Sequence, residues 1–267
     1  MSPTIKKRTE FLSLLFYALG GLVLLFIIAP LVSLYLSCTL PEIIDTAKEK
    51  EVQSSIWLTL WTSMAATLIF AIAAIPFSYL LARKEFPFKN VVLGIIDLPI
   101  VIPHSAAGIA LLGVISRNGF LGKTAETMGF SLVGNSIGII LAMAFVSIPF
   151  LISSARNGFL AVPERLEKAA LNLGASPSRV FLTVSTPLAS RSIISGLILM
   201  WARGMSEFGA VIIIAYHPMV TPVLIYERFG AFGLKYARGV AVVFISICLI
   251  VFTAMRILAK DHKDAQR

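Results

Sequence analysis

The segment PERLEKAALNLGASPSRVFLTVSTP, residues Pro163 to Pro187, is a polar interruption in a chain that is otherwise strongly apolar. Pro163 and Glu164 suit the start of a helix, because a first-turn proline loses no hydrogen bond and an acidic side chain favours the positive helix end. Gly174 follows the last periodic residue, where a left-handed cap is expected. Ser176 and the proline after it then supply the N-cap and first residue of a second helix. The segment therefore predicts two short helices joined by a tight turn.

The first of these helices carries an apolar stripe. Leu166, Ala169, Ala170 and Leu173 stand at i, i+3, i+4 and i+7, so they share one face of a helix. The small residues at the joint allow another surface to approach closely. The segment is therefore interpreted either as a docking loop for a partner protein or as an amphipathic loop that lies on a membrane surface.

The composition indicates a membrane protein. The chain has 267 residues, a mean hydropathy of +0.88 and only 14% charged residues; soluble domains carry about 25% charge. No phosphate-binding loop of the Gly-x-x-x-x-Gly-Lys-Ser/Thr type is present, so any ATP must be bound by another chain. Cys38 and Cys248 are far apart and suggest neither a disulfide framework nor a metal site.

Six segments are apolar enough to cross a membrane, where about 20 residues are needed. The prediction is an all-α polytopic membrane protein that forms a single transmembrane domain over residues 1–267. The six transmembrane helices are placed at Phe11–Leu36, within Val52–Ala82, at about Val91–Ile115, within Ser136–Ala155, at about Ser192–Tyr216 and at about Gly239–Leu258.

The distribution of basic residues predicts the orientation. With these spans, and with Arg256 at the end of the last span counted with the C-terminal tail, 15 Lys and Arg residues lie on the side of the termini, seven lie on the other side, and Arg203 falls inside a span. Positively charged residues favour the cytoplasmic side. Both termini and the segment around residues 156–191 are therefore placed in the cytoplasm, and the net charge of +9 is explained as a topology signal rather than a nucleic-acid site.

Ionisable residues inside the spans are candidate functional residues, because a charge in the bilayer is costly. Arg203 is expected near the middle of the fifth helix, with Glu207 one turn further on, where the two charges can pair. In the third helix, Pro103 weakens the helix and precedes His104. Two interpretations of the Arg203–Glu207 pair stay open: a gate along a translocation path, or a structural ion pair within one subunit.

The polar segment resembles the cytoplasmic coupling loop of binding-protein-dependent ABC importer permeases. That pattern is Glu-Ala-Ala, three residues, Gly, nine residues and Ile-x-Leu-Pro; Ala169, Ala170, Gly174 and Pro187 match it, and Val184 replaces the isoleucine. A lysine takes the glutamate position, a glutamate precedes it, and a threonine replaces the leucine. The resemblance implies a type I ABC importer permease fold and a cytoplasmic helix-turn-helix loop, with ATPase-coupling residues Glu164, Glu167, Lys168, Ala169, Ala170, Gly174, Ala175, Ser176, Pro177 and Pro187.

The same resemblance implies the partners. Two copies of the chain would form one pathway, two ATPase subunits would bind ATP and Mg²⁺, and an extracytoplasmic binding protein would deliver the substrate. The chain itself would be a transport subunit in the cell membrane, surrounded by lipid, with no cofactor, no catalytic residue and no nucleic-acid partner. The candidates for the translocation path or gate are Arg203, Gly204, Ser206, Glu207, Gly209, Pro103 and His104.

Three segments are similar to the oxyanion branch of that family. Ala202–Ala210 resembles molybdate, tungstate and sulfate permeases. Asp97–His104, with Ala107, Gly108 and Asn118–Gly122 after it, resembles the molybdate and tungstate permeases, and so does Glu164–Pro187. The sequence thus predicts a permease that passes molybdate or tungstate into the cell by alternating access. A sulfate or thiosulfate importer permease and an ion-gradient secondary transporter are the alternatives.

Overall fold

The chain folds into helices only, within the part that the computed structural model describes, which is the backbone of residues 3–264 and the side chains of residues 12–255. The helices are α1 (Pro3–Leu36), α2 (Leu40–Lys48), α3 (Lys50–Arg83), α4 (Lys89–Val101), α5 (His104–Ile115), α6 (Phe120–Thr127), α7 (Ser136–Ala161), α8 (Glu164–Asn172), α9 (Pro177–Val180), α10 (Thr186–Met205), α11 (Gly209–Ile214), α12 (Thr221–Phe232) and α13 (Leu234–Asp264), with a π turn (Phe181–Ser185) between α9 and α10.

Five segments within residues 3–264 are long and apolar enough to cross a membrane on their own: α1, α3, α7, α13 and the run from Pro177 to Met205. A sixth crossing exists if α4 and α5 count as one span, although they are bent by 115° at their junction. The prediction of an all-α bundle with six crossings is therefore confirmed to this extent: five straight spans and one broken pair.

The core of the bundle is α7, which lies between α3 and α10. Small residues let α7 and α10 approach closely, as is usual where membrane helices pack. A Cβ atom on Gly158 of α7 would lie 2.5 Å from Cβ of Ser192 on α10. Ser154 Oγ donates a hydrogen bond to the carbonyl oxygen of Ser192 at 2.7 Å. This contact fixes α10 against the centre of the bundle.

Helix α1 lies outside this core. No residue of its described apolar stretch, Leu12–Leu36, is buried within the chain. Its polar contact to the bundle joins Tyr35 Oη to Ser246 Oγ of α13 at 2.7 Å. An apolar helix of this length that is left uncovered by its own chain is suited to lipid or to another subunit.

Two predicted spans are interrupted. The third was predicted to be one helix weakened by prolines, but it is broken at Ile102 and Pro103 into α4 and α5. The fifth was predicted over Ser192–Tyr216, but α10 ends at Met205, and α11 follows after a non-helical connection. Proline supplies no backbone donor and its ring clashes with the preceding turn, which explains the first break.

The connections between the spans contain the shorter helices α2, α6 and α12. Arg228 of α12 donates from Nη2 to Glu49 Oε2 at 2.5 Å and to Glu51 Oε2 at 2.8 Å. Since α3 starts beside these carboxylates and ends at Arg83, α12 and the polar segment around α8 lie at opposite ends of the bundle.

Candidate functional site

The polar segment forms a helix, a tight turn and a second helix, as predicted. Gly174 has a φ of +87°, a left-handed conformation that only glycine adopts without strain. Ser176 caps α9, because its Oγ accepts a hydrogen bond from the Arg179 N–H at 3.4 Å. Pro177 is the first residue of α9. The caps that were identified in the sequence are therefore the caps of the structure.

The second helix is longer than predicted. It runs from Pro177 to Met205 as one apolar helical segment, and the π turn is its only departure from α-helix. Within that turn, the Thr186 N–H donates to the carbonyl oxygen of Phe181, a wider i to i−5 bond. Pro187 therefore lies inside the first turn of a transmembrane helix. The local widening accommodates a ring that would otherwise clash with the preceding carbonyl.

Glu167 joins this segment to the bundle and is the one buried residue of α8, which is described in full. Arg83, the last residue of α3, donates to Glu167 Oε1 from Nη2 at 2.8 Å and to both carboxylate oxygens from Nε at 3.0 Å. Ser185 Oγ donates at 2.7 Å and Tyr79 Oη at 3.2 Å. The carboxylate of Glu167 thus contacts α3 and the π turn together.

This environment favours the charged carboxylate. Burial by itself raises the pKa of Glu167, but the hydrogen bonds from Arg83 and Ser185 outweigh it, so that the pKa lies below its ordinary value. Arg83 is fixed as well, because its Nη2 also donates to the carbonyl oxygen of Val162 at 2.8 Å. Glu167 and Arg83 therefore form a charged pair that joins α8 to the end of α3.

The outer face of α8 has the opposite character. Leu166 and Leu173, which share one face, are exposed, and Leu173 is 89% exposed. Leu171 is exposed as well, but it stands four positions after Glu167 and so lies on the same side of the helix as that carboxylate. Of the predicted stripe, Ala169 is exposed as well and Ala170 is half-buried. A helix that buries a carboxylate and exposes its leucines is inverted for an isolated chain, and apolar side chains displayed in this way are typical of a protein interface.

The other coupling candidates lie around this face. Glu164 and Lys168 form an exposed ion pair, with 3.0 Å between Glu164 Oε2 and Lys168 Nζ. Ala175 is half-buried, whereas Gly174 and Ser176 are exposed. The structure therefore brings these candidates to one end of the bundle and separates Glu167, which points inward.

Most of the gate candidates lie together at a second place, where the start of α5 contacts the connection between α10 and α11. Arg203 Nη2 lies 2.9 Å from Glu207 Oε2, so the predicted pair is present. Its position differs from the prediction, because Arg203 occupies the last turn of α10 and Glu207 the non-helical connection beyond it. His104, at the start of α5, completes the cluster with Nδ1 2.9 Å from Glu207 Oε2.

Both carboxylate oxygens of Glu207 have polar partners, and the residue is 0% exposed. Its Oε1 accepts a hydrogen bond from the Ala210 N–H of α11 at 2.8 Å, which caps that short helix. Arg203 and His104 keep 21% and 33% of their side chains exposed, so the cluster opens to one side of the chain. Charged groups in this position are typical of a path or of an interface between subunits.

Gly209 permits this crossing. A Cβ atom there would lie 2.7 Å from Cβ of His104 and 3.2 Å from the Ser105 nitrogen, so the start of α5 fits only against a glycine. Pro103 precedes the crossing as the N-cap of α5, and Ser206 Oγ accepts from Arg203 Nη1 at 3.2 Å. Gly204 does not join the cluster, because it faces Ser63 of α3 and Met143 of α7 instead.

Arg83, Tyr79 and Ser185 were not among the predicted site residues. Arg83 entered only as one of the basic residues counted for orientation, and nothing in the local pattern connects it with Glu167, which follows 84 positions later. The one available signal was an acidic residue displaced by one position from the Glu-Ala-Ala pattern.

Comparison with known proteins gives consistent matches. Residues 74–263 match the family described as "Binding-protein-dependent transport system inner membrane component". The molybdate/tungstate transport system permease protein of Thermococcus kodakarensis is 41% identical over 251 residues, 93% of this chain and 96% of that protein. The protein of the same description from Pyrococcus furiosus is 40% identical over 260 residues, 97% and 99% of the two chains. A probable sulfate transport system permease protein of Chlorokybus atmophyticus is 33% identical over 209 residues, 77% and 73% of the two chains.

Solved structures support the fold. A chain of a bacterial ABC transporter involved in the import of the acidic polysaccharide alginate has a TM-score of 0.75 at 14% identity, covering 97% of this chain and 99% of that one. A chain of the inward-facing methionine ABC transporter has a TM-score of 0.62 at 14% identity, covering 79% and 95%. The architecture is therefore that of a type I ABC importer permease.

Proposed function

The chain belongs to the family of binding-protein-dependent transport system inner membrane components, and from this premise we propose that it passes molybdate or tungstate across the membrane in an ATP-driven importer. The observation that carries the proposal is the inverted helix α8, with Glu167 directed inward and Leu166 and Leu173 outward. An outward apolar face at one end of a membrane bundle supports the docking of a separate motor protein there.

The proposed partners are those of a binding-protein-dependent importer. Two ATPase subunits bind ATP and Mg²⁺, and each receives one α8–α9 segment in a groove. A second copy of this chain completes the pathway, since one copy supplies only a single set of spans. The termini and α8 lie in the cytoplasm, and an external binding protein docks at the opposite end, near α12. ATP binding draws the two segments together, and the pathway opens toward the binding protein.

The Arg203–His104–Glu207 cluster acts in this proposal as a gate beside the path. Its partial exposure supports a position on the face where two copies meet. The two helix breaks supply hinges, because chain without regular helical hydrogen bonds can change direction with little loss of structure. A tetrahedral dianion needs a polar path that opens briefly and does not hold it, since tight binding would slow its release.

The choice of molybdate or tungstate rests on the relatives of about 40% identity, compared with 33% for the sulfate relative. Calorimetry on the binding protein that works with this permease tests it, with titrations of molybdate, tungstate and sulfate. The expected result is tight binding of the first two only. Preferential binding of sulfate would instead assign the chain to the sulfate branch. A second experiment adds orthovanadate, which arrests ABC ATPases and should stop uptake in vesicles. Uptake that continues would favour an ion-gradient carrier.

A further inference from the structure

We propose that the buried Glu167–Arg83 pair is the mechanical joint through which α8 moves the transmembrane helices, so that Glu167 is a positioning residue and not a contact to the motor protein. This inference rests on the proposed function, because it concerns how movement of the docked segment reaches the path. It assigns Glu167 a task different from that of the exposed residues around it.

The first support is the way α8 is attached. Its main packing partners are the neighbouring α9 and the π turn, and it has no other buried residue. Glu167 alone gives it three hydrogen bonds from Arg83, one from Ser185 and one from Tyr79. A force applied to the exposed leucines therefore enters the bundle through this carboxylate.

The second support is the position of the two anchors. Arg83 is the last residue of α3, and Ser185 is the last residue of the π turn. Both helices continue from there into the centre of the bundle, where they pack against α7. The carboxylate of Glu167 thus ties the end of α3 to the π turn within the helical segment Pro177–Met205.

The third support is where α10 leads. Its 20 residues from Thr186 to Met205 extend about 30 Å at 1.5 Å per residue, and Arg203 stands in its last turn. A rigid helix transmits displacement along its length. Movement of α8 therefore reaches the Arg203–His104–Glu207 cluster without any further contact between the two places.

A cluster of three aromatic rings packs beside the Glu167–Arg83 pair. Tyr79, Phe159 and Phe181 lie with ring centroids 5.1 to 6.0 Å apart, and they belong to α3, α7 and the π turn. Ring pairs at these distances are favourable contacts. They exclude water from one side of the ion pair, which strengthens the attraction between its charges.

Glu167→Gln tests the joint, with Glu85→Gln as the matched control. Glu85 is 88% exposed and pairs with Lys89 at the same end of the bundle, with 2.8 Å between Oε1 and Nζ. Three quantities are measured in proteoliposomes that contain the permease, its ATPase subunits and the binding protein: co-purification of the ATPase subunits, ATP hydrolysis, and anion taken up per ATP.

For Glu167→Gln, the ATPase subunits should still bind and hydrolyse ATP, while uptake per ATP falls on the order of tenfold, as expected when a coupling free energy is lost. Glu85→Gln should match the wild type. Wild-type uptake per ATP in Glu167→Gln would overturn the proposal. Loss of ATPase binding in proportion to uptake would also overturn it, because Glu167 would then only shape the docking surface.

A distance measurement tests the joint without transport. Spin labels are attached to cysteines at Asn172 of α8 and Lys84 beside Arg83, after replacement of Cys38 and Cys248. In the complex with ATPase subunits, the mean distance between the labels should stay constant when ATP is added. In Glu167→Gln the distribution of label distances should become broader. A wild-type change of one helical turn, about 5 Å, would overturn the proposal. Constant distances with no molybdate or tungstate uptake by the wild type would instead count against the proposed function.

Discussion

Arg203 and His104 meet across two helix breaks, with Arg203 Nη2 2.6 Å from His104 Nδ1, and both nitrogens lie 2.9 Å from the same oxygen of Glu207. A fully buried carboxylate requires such partners, because an isolated buried charge is strongly unfavourable. The contact joins the start of α5 to the end of α10. Changes at this cluster should therefore affect both stability and transport.

Removal of Arg203 should be more harmful than removal of Glu207. In Arg203→Ala the buried carboxylate keeps only His104 as a side-chain partner, and breaking a buried pair costs about 3–5 kcal/mol. In Glu207→Ala the partly exposed guanidinium can still reach water. We expect reduced uptake in both variants, a larger drop in melting temperature for Arg203→Ala, and partial recovery in the double variant. Normal assembly and transport by both single variants would exclude a gate at this cluster.

Gly209→Ala should separate α5 from α11. The added Cβ meets His104 at 2.7 Å, and the nearest backbone atoms at 3.2 Å cannot rotate away. We expect lower thermal stability in detergent and lower uptake. The control is Gly113→Ala on α5, where a Cβ meets no atom within 4 Å and helix propensity favours alanine. Equal melting temperatures for the two variants would show that the crossing tolerates a wider spacing.

Gly174→Glu should abolish the docking of α8. The substitution costs roughly 1 kcal/mol in backbone strain and places a charge beside the exposed leucines. We expect insertion into the membrane to persist, while binding of the ATPase subunits and uptake are lost. Gly129→Glu is the control, because Gly129 has a similar φ of +84° and equally open surroundings away from α8. Normal transport by Gly174→Glu would remove the docking role of this turn.

The Arg228 bridge should stabilise the end of the bundle that carries α12. The Arg228 side chain is 12% exposed and contacts the carboxylates of Glu49 and Glu51. Burial lowers the pKa of Arg228, but the two carboxylates outweigh this effect, so that the pKa lies above its ordinary value. Since hydrogen bonds to charged groups contribute roughly 2 kcal/mol, Arg228→Ala should lower the melting temperature clearly. Lys235→Ala should not, because that side chain is 74% exposed and lies 3.8 Å from Glu42. Similar melting curves for both variants would contradict this ranking.

Acid should weaken the attachment of α8. The folded-state pKa of Glu167 lies below its ordinary 4.5, so its contribution to stability is present above pH 4.5 and is lost as the pH falls through the lowered pKa. The difference in melting temperature between the wild type and Glu167→Gln should therefore be largest near pH 7 and shrink below pH 4.5. A difference that does not vary with pH would mean that the carboxylate acts by shape and not by charge.

Local rules predicted much of this molecule. The long apolar runs predicted the spans, the Ser176 cap and Gly174 predicted the turn, and the spacing of Arg203 and Glu207 predicted their pair. Each of these depends on residues at most a few positions apart, where helix geometry alone sets which side chains meet. The single-domain assignment, the orientation and the partners stay predictions.

Tertiary structure alone decided the rest. The partner of Glu167 lies 84 positions away and that of Arg203 in α5 lies 99 positions away. Such pairs arise because packing brings particular helix ends together, and the period of a helix carries no information about which ends these are. The amino-acid sequence by itself therefore determined the helices, their caps and their membrane character. Packing decided where α10 ends, which way α8 faces, and which charges neutralise one another.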